Sequence, residues 1–395
     1  MSIQYAGGTI VNTTFTPGAA TPKADLQSNI IAQLLTAGWS QYSGPANGGA
    51  VTVTISIASP GVVSFTSHNL VAGDGVVFST TGALPGGISA GTRYFVKTVL
   101  SGNTFTIAST VGGTVINTSG SQSGTHTMLA AVRMKTAVTP FSTSMIIQLT
   151  DNGGTCIQFS IANSTFTLAG TNTGQGPGNL NPGTGATTYR IIADKYQTFI
   201  FTPTPTGARQ FVSFGTLYLP TFLQGVITEC AWMTCNSQSD SDTTNRSQNW
   251  RLRFNLDGVN SQTSCFQCIA NSMLIDAGTA GAMNIQFMPG SPYILTNLVY
   301  PASGAKTAQS GHHWHDASAL MLEPLVAWGN AMGTLSNSVG GSAASEELIR
   351  GQLWDAVLVN NVFAGDTTTT FDGHNWWALT DNDSSDFCTM FIATT

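Results

Sequence analysis

The sequence predicts a mainly β, multi-domain protein: sandwich- or barrel-like domains, one short N-terminal helix and an inserted small β module. Three observations carry this expectation. Asp, Glu, Lys and Arg make up only 8 % of the 395 residues, against about 25 % in ordinary soluble domains. Yet 42 % are hydrophobic and eight are Trp, which is too much apolar side chain and too little charge for a disordered chain. Finally, 43 Gly and 15 Pro cut the chain into short pieces, and from Val51 onward apolar and polar residues alternate at period two, the mark of half-buried strands. Strands with uncharged polar outer faces, much of that surface lying against other subunits, account for this composition.

Residues 1–50 are expected to form an arm and helix that begin a host β domain. In "TPKADLQSNIIAQLLTAGW" Thr21 is placed to N-cap, and Pro22 suits the first helical position, where its missing N–H costs nothing. Leu26, Ile30, Ile31, Leu34 and Leu35 form one apolar stripe. Gly38 then takes the left-handed C-terminal conformation and Trp39 anchors the exit.

Residues 51–128 read as a small β module. "VTVTISIA", "VVSF", "GVVF", "RYFVKTV", "NTFTIA" and "TVI" are short strands divided by Pro60-Gly61, Gly73-Asp74, Pro85-Gly86-Gly87 and Gly112-Gly113, a pattern that suits a small barrel or sandwich. Residues 129–224 resume the host domain with "LAAVRMKTAV", "SMIIQLTD", "GTCIQFSIA", "TYRIIAD", "QTFIFTP", "RQFVSFG" and "TLYLPTFL". Residues 225–395 are expected to form a β-rich C-terminal domain. It holds a polar stretch "NSQSDSDTTNRSQ", a strand "WRLRFNLDG", a helix around "SAASEELIRGQL" and closing strands "DGHNWWALT" and "FCTMFIAT".

These residues resemble known proteins. "SHNLVAGDGVVF", "GALPGGISAGTRYFV", "NTFTIA" and "NTSGSQSGTHT" look like a small β module recurrent in tailed-bacteriophage virion proteins. The flanking "LQSNIIAQLLTAGW", "TYRIIADKYQTFIF" and "FVSFGTLYLPTFL" are similar to a family of phage tail or baseplate-type structural proteins. The resemblance covers about the first 225 residues and extends to the closing "DGHNWWALT…FIAT". It implies a non-enzymatic virion component of the tail, neck or baseplate, assembled from several copies around a symmetry axis and contacting other virion proteins. It carries over no catalytic residue and no cofactor. It also implies that the module is an insertion and that the surface from Ser67 to Val99 serves contact. The alternatives are a receptor-binding or adhesion protein that touches a host-surface glycan and, third, a polysaccharide depolymerase.

Composition excludes several classes. A net charge of −6 with 13 Lys and Arg leaves no clustered cations for phosphate, the densest group being Arg246, Arg251 and Arg253. No apolar run has the length of a transmembrane helix and no basic amphipathic helix is present, so neither nucleic acid nor membrane insertion is expected. "MSIQYAGGTIVNTTF" shows no charged leader before an apolar stretch, so synthesis and folding in a host cytoplasm are expected.

Candidate sites are few. His312 and His315 in "SGHHWHDAS" have a helical spacing suited to a metal, with a packed loop around Trp314 as the competing reading. Asp381 and Asp383 in "TDNDSSD" offer oxygen ligands, but Asp386 and Ile392 stand where a calcium loop needs Gly and Glu. Cys230, Cys235, Cys265 and Cys268 could be drawn as a zinc site, although "SCFQCIANSMLI" reads as a buried apolar segment with reduced thiols. No carboxylate pair, nucleophile elbow or phosphate loop marks an enzyme. Trp376, Trp377 and Tyr5 could stack on sugars; adjacent Trp residues on a strand face opposite ways, so one of the pair is expected in the core. The interface or binding candidates are therefore His68, Asp74, Pro85, Trp314, Trp376 and Trp377, with His68 and Asp74 read as turn and strand-end residues.

Overall fold

The computed structural model describes residues 3–138, 145–162, 178–185, 187–202, 210–219, 230–235, 265–270, 273–276, 286–289, 322–330, 347–359, 367–371, 373–379 and 389–395. The protein is mainly β, with one helix among these residues and every strand pair antiparallel. An arm, residues 3–10, leads to β1 (Val11–Phe15) and α1 (Pro22–Thr36). Leu26, Ile30, Ile31 and Leu34 of α1 are fully buried, whereas Leu35 is 40 % exposed, so the apolar stripe is narrower than its spacing suggests.

Thr21 makes no side-chain cap to the helix amides. Its hydroxyl donates instead to Asp25 Oδ1 at 3.0 Å, and Asp25 Oδ2 accepts the Gly18 N–H at 2.9 Å. The carboxylate thus occupies the positive end of the helix dipole and the expected threonine cap is replaced. The other end forms as predicted. Gly38 has φ +99°, its N–H donates to Leu35 O, and Trp39 N–H donates to Leu34 O, the paired bonds of a Schellman motif. Trp39 is buried and its indole N–H donates to Asp194 O at 2.7 Å.

After β2 (Ser40–Ser43) come β3 (Val51–Ile55), β4 (Val63–Ser64), β5 (Gly75–Thr80), β6 (Arg93–Ser101), β7 (Thr104–Ala108) and β8 (His126–Ala130). These six close into a barrel in the order β3-β4-β7-β6-β5-β8. Alternation fills it: Val53, Ile55, Val76, Phe78, Val96, Phe105, Ile107 and Met128 form one buried core. The expected strand "TVI" reduces to a single bridge between Ala108 and Val115. The chain then enters β9 (Val132–Lys135), which pairs with β2 through Ser40↔Lys135, Gln41↔Met134 and Ser43↔Arg133. It therefore leaves a sheet at the end of one strand, builds a closed barrel and returns on the adjacent strand.

Next are β10 (Ile146–Asp151), β11 (Ile157–Ala162) and β12 (Gly178–Leu180), which complete a five-stranded sheet β12-β11-β10-β9-β2. Then β13 (Tyr189–Ala193), β14 (Gln197–Phe201), β15 (Phe211–Thr216), β16 (Cys230–Cys235), β17 (Cys265–Ala270) and β18 (Met273–Asp276) extend from β1 as a seven-stranded sheet. That sheet runs through the boundary expected near Gly225. "TLYLPTFL" is not a strand in its described part: β15 stops at Thr216, and residues 220–223 lie outside the described residues. The two sheets share one core, with Val132, Met134, Leu149 and Phe159 on one side and Ile191, Ile200, Val212 and Phe214 on the other. Leu26, Ile30, Ile31 and Leu34 of α1 belong to it as well. This is a sandwich with a helix built into its core.

The last sheet holds β19 (Gln286–Pro289), β20 (Leu322–Asn330), β21 (Glu347–Val359), β22 (Thr368–Phe371), β23 (His374–Leu379) and β24 (Thr389–Ala393), in the order β19-β20-β21-β24-β23-β22. β23 and β24 are the two closing strands the sequence predicts. The helix expected around "SAASEELIRGQL" is corrected: from Glu347 on, this stretch is the first part of β21, paired with β20 from Glu347 to Gln352, while β24 joins the strand farther on, from Ala356 to Val359. The ladder with β20, continuous with the rest of the strand, overrides a local helical propensity worth only tenths of a kcal/mol per residue. "WRLRFNLDG" and "NSQSDSDTTNRSQ" lie outside the described residues. No helix among the described residues is long and apolar enough to cross a membrane.

Because β2 and β9 are neighbours, excising Val51–Ala130 and joining the ends through a short Gly-Ser turn leaves the sheet register intact. The shortened chain is expected to stay soluble and unfold in one cooperative transition by circular dichroism. An insoluble or non-cooperative product would show that barrel and sandwich fold as one body.

Candidate functional site

The barrel meets the sandwich around Asp74, immediately before β5, and Arg133, on β9. Asp74 Oδ1 forms an ion pair with Arg133 Nη2 and accepts Gln148 Nε2 of β10 at 3.5 Å. Its Oδ2 accepts the Val71 N–H at 2.8 Å, which closes the turn into β5. Arg133 Nη1 donates to Ser43 Oγ at 3.1 Å, so one guanidinium ties the barrel, β9 and β2 together. Both side chains of the pair are within 1 % of full burial.

Backbone and amide bonds surround the pair. Ala131 N–H donates to Gly75 O and Gly44 N–H to Asn69 O, each at 2.8 Å. Gln27 Nε2 of α1 donates to both Gly48 O and Ala130 O, the carbonyls at the two ends of the excursion. Arg93 Nη1 reaches Gln158 Oε1 at 3.0 Å, and its guanidinium lies 5.0 Å over the Phe95 ring. The approach is so close that a Cβ on Gly75 would sit 2.8 Å from both Arg93 Nε and Thr150 Oγ1, so any side chain there would have to displace one of them.

Electrostatics show what this junction costs. Burial lifts the Asp74 carboxyl to about 6, against the pull of Arg133 and the Val71 hydrogen bond. Burial lowers the Arg133 guanidinium to about 10, against Asp74 and Tyr42. Both shifts run in the direction of desolvation, so the attraction does not fully offset the loss of water. At neutral pH both groups are still charged, since 7 lies between the two values.

The other sequence candidates fall elsewhere. His68 is 1 % exposed and 5.1 Å edge-on to Phe105. Its Nδ1 accepts the Leu70 N–H at 3.0 Å, so the ring hydrogen sits on Nε2 and donates to Ser101 O at 2.9 Å. Pro85 is buried, with Gly86 exchanging two backbone bonds with Ser119. These two and Asp74 are expected above as interface candidates; the structure corrects that, because all three side chains are buried inside the chain. Trp376 and Trp377 are 0 % and 8 % exposed, so both belong to the interior where only one is expected there. Trp377 lies under the Arg190 guanidinium at 3.7 Å, which covers its second face. Tyr5 stacks on His374 at 4.3 Å, which takes one face of its ring.

His312, Trp314, His315, Asp381 and Asp383 lie outside the described residues. Among the described residues no group of three or more His, Cys, Asp or Glu is placed to hold a metal ion. For the cysteines, β16 and β17 pair with Cys235↔Cys265 and Trp232↔Cys268.

A second centre has no counterpart in the sequence reading. Asp194, in the turn between β13 and β14, and Asp355, on β21, are 4 % and 2 % exposed. Burial, then the charge of Asp355, drives the Asp194 carboxyl well above the usual range. Burial lifts Asp355 to about 6, with the Ala6 N–H, Asp194, His374 and Lys195 opposing. Ala6 N–H donates to Asp355 Oδ2 at 3.1 Å, and Asp355 N–H to Gln4 O at 2.8 Å. Trp354 packs between Tyr196 and Tyr218, at 4.6 and 5.2 Å. With so little exposure, the pair presents no face to a substrate.

Removing one partner of the junction pair strands a buried charge. Asp74→Ala is expected to destabilise the protein by about 3–5 kcal/mol in denaturant unfolding. Adding Arg133→Met should recover most of that loss. Equal stability of Asp74→Ala and the native chain would mean that the pair is not buried in solution.

No protein-family model and no curated protein matches the chain, and the roles of these residues rest on the chain's own geometry.

Proposed function

We propose that this chain is a non-enzymatic structural component of a tailed-phage virion, in the tail, neck or baseplate, and that it works by assembling with copies of itself and with other virion proteins. The observation that carries this reading is the barrel surface. Between Val51 and Ala130 the chain has three charged side chains, Asp74, Arg93 and Lys97. Asp74 and Arg93 are engaged at the junction with Arg133 and Gln158, which leaves Lys97 as the one charge elsewhere on the barrel. Exposed on it are Ile57, Val71, Val99, Leu100 and Val111.

Covering such a surface desolvates little charge and buries aliphatic side chains, the balance found at the centres of protein interfaces. The barrel's junction bonds hold that surface in a fixed orientation on the sandwich. The same features disfavour phosphate recognition, which needs clustered cations. The likeness of "SHNLVAGDGVVF" and its neighbouring segments to phage virion modules points the same way.

Mass spectrometry of purified virions is expected to find the chain in multiple copies per particle; its absence would sink the proposal. Within particles, Leu100→Asp or Val111→Asp should lower incorporation by at least about tenfold, equivalent to 1.4 kcal/mol of binding, while circular dichroism of the free chain stays unchanged. Normal incorporation of both variants would remove the barrel from the assembly surface.

A further inference from the structure

We propose that residues 3–6 of the arm are exchanged between copies of this chain, the arm of one protomer filling the cradle beside β21 and β23 of its partner. The inference names the partner segment for the self-assembly proposed above and rests on that reading. The arm is held as a bound peptide is held. Asp355 N–H donates to Gln4 O at 2.8 Å, and Asp355 Oδ2 accepts the Ala6 N–H at 3.1 Å. Between these bonds Tyr5 stacks on His374 at 4.3 Å and lies tilted 6.2 Å from Trp376. Ile3 and Tyr5 pack on Trp376, Ala378 and Ala393, and Ala6 packs with Tyr196 and Trp354. Main-chain bonds on either side of an aromatic anchor are the means by which a surface recognises a short segment.

A hinge separates this anchored segment from β1. Gly7, Gly8 and Thr9 are exposed, and the two glycines turn the chain back at φ +65° and +93°. Nothing lies within 4 Å of where a Cβ on Gly7 would sit, and only Lys195 Cδ, at 4.0 Å, stands near that of Gly8. No packing opposes rotation there, and glycine moves between left-handed and extended backbone at little cost. Opened out, the chain from Ala6 to Ile10 spans at most about 14 Å. Exchange therefore requires two cradles close together, as they are beside a symmetry axis.

The bound arm itself identifies the occupant. A second copy carries the one segment whose carbonyl, N–H and ring the cradle already fits, and every contact made within a chain is made equally between chains. From Ile3 to Ile10 there is no charged side chain, so lifting the arm breaks no ion pair. Once two copies touch, the second arm is delivered at high effective concentration, and a reciprocal exchange ties the pair twice without any new kind of contact.

Photo-crosslinking of the full chain tests this. With Tyr5 replaced by the aromatic photoreactive residue p-benzoylphenylalanine, the assembled protein is irradiated, separated on a denaturing gel and digested for peptide mass spectrometry. Exchange is expected to give covalent dimers in which position 5 is joined to the β23 peptide that contains His374. Assemblies that yield only internally linked single chains would overturn the exchange and leave self-assembly standing. A chain that light scattering finds monomeric at every concentration would overturn both. Should the photoreactive variant not fold, Tyr5→Ala reads the same contact: loss of the stack is expected to weaken self-association about tenfold in a dilution series. Unchanged association in a Tyr5→Ala chain with native circular dichroism would overturn the exchange equally.

Discussion

Everything in this architecture that joins barrel to sandwich converges on the buried contact between Asp74 and Arg133. A barrel attached through two adjacent strand ends would pivot about them, since β2 and β9 meet it side by side. Orientation needs a contact away from that axis. Asp74 supplies it by reaching β9, β10 and, through Arg133, Ser43 on β2. Desolvation outweighs attraction for both groups, so the pair is a poor source of stability and a good source of uniqueness. An apolar contact at this place would accept several barrel rotations, whereas an ion pair in a dry site accepts one. A repeated particle needs subunits that present a surface in one orientation, and a rigid junction suits that need.

The scarcity of charge has a structural counterpart. Among the described residues the ion pairs are Asp74–Arg133 and Lys23–Asp151. Loops are instead held by neutral amides and hydroxyls. Gln41 Nε2 donates to the carbonyls of Gly44 and Pro45, Gln122 Nε2 to Ile55 O, and Thr118 Oγ1 to Ser56 O while accepting the Ala58 N–H. Gln210 and Tyr189 share the carbonyl of Asn181. Neutral groups cost less to bury than ions and need fewer partners. A chain that closes its turns this way can cover its loops in an assembly without stripping water from charges.

What the sequence made legible was local. Alternation placed the barrel strands, turn chemistry divided them, and Gly38-Trp39 marked the end of α1. The failures arose where distant pairing or packing decides. β21 begins with a helix-like sequence, but its ladder with β20 holds it extended. One of Trp376 and Trp377 reads as a surface aromatic because alternation sends one of two neighbours outward, yet both are buried and Arg190 from another sheet covers Trp377. His68, Asp74 and Pro85 look like exposed loop residues because Gly and Pro surround them; their burial comes from Ser101, Arg133 and Ser119, which no short window contains. Of the two carboxyl centres, Asp74 was singled out with the wrong environment. Asp194 and Asp355 gave no signal, being single acids in ordinary strand and turn contexts.

Those two centres solve one problem in different ways, and the composition explains why. A buried carboxylate needs either a cation or a proton. With only 13 Lys and Arg in 395 residues, cations are scarce, and Arg133 is committed to Asp74. Lys195, next in sequence to Asp194, points its ammonium 4.9 Å over the Tyr196 ring, not into the carboxyl pair. Backbone N–H groups of Tyr196, Gln197 and Ala6 therefore stand where a cation would, and burial still raises both carboxyls. The two solutions differ in what they respond to. Arg133 keeps its charge up to about 10, so the barrel junction holds its cation from neutral into mildly alkaline solution. The carboxyl pair answers to burial and to backbone donors, which favour opposite protonation states. In a chain this poor in charge, the barrel junction holds the arginine, and the acids at β21 and the β13–β14 turn are met by neutral donors.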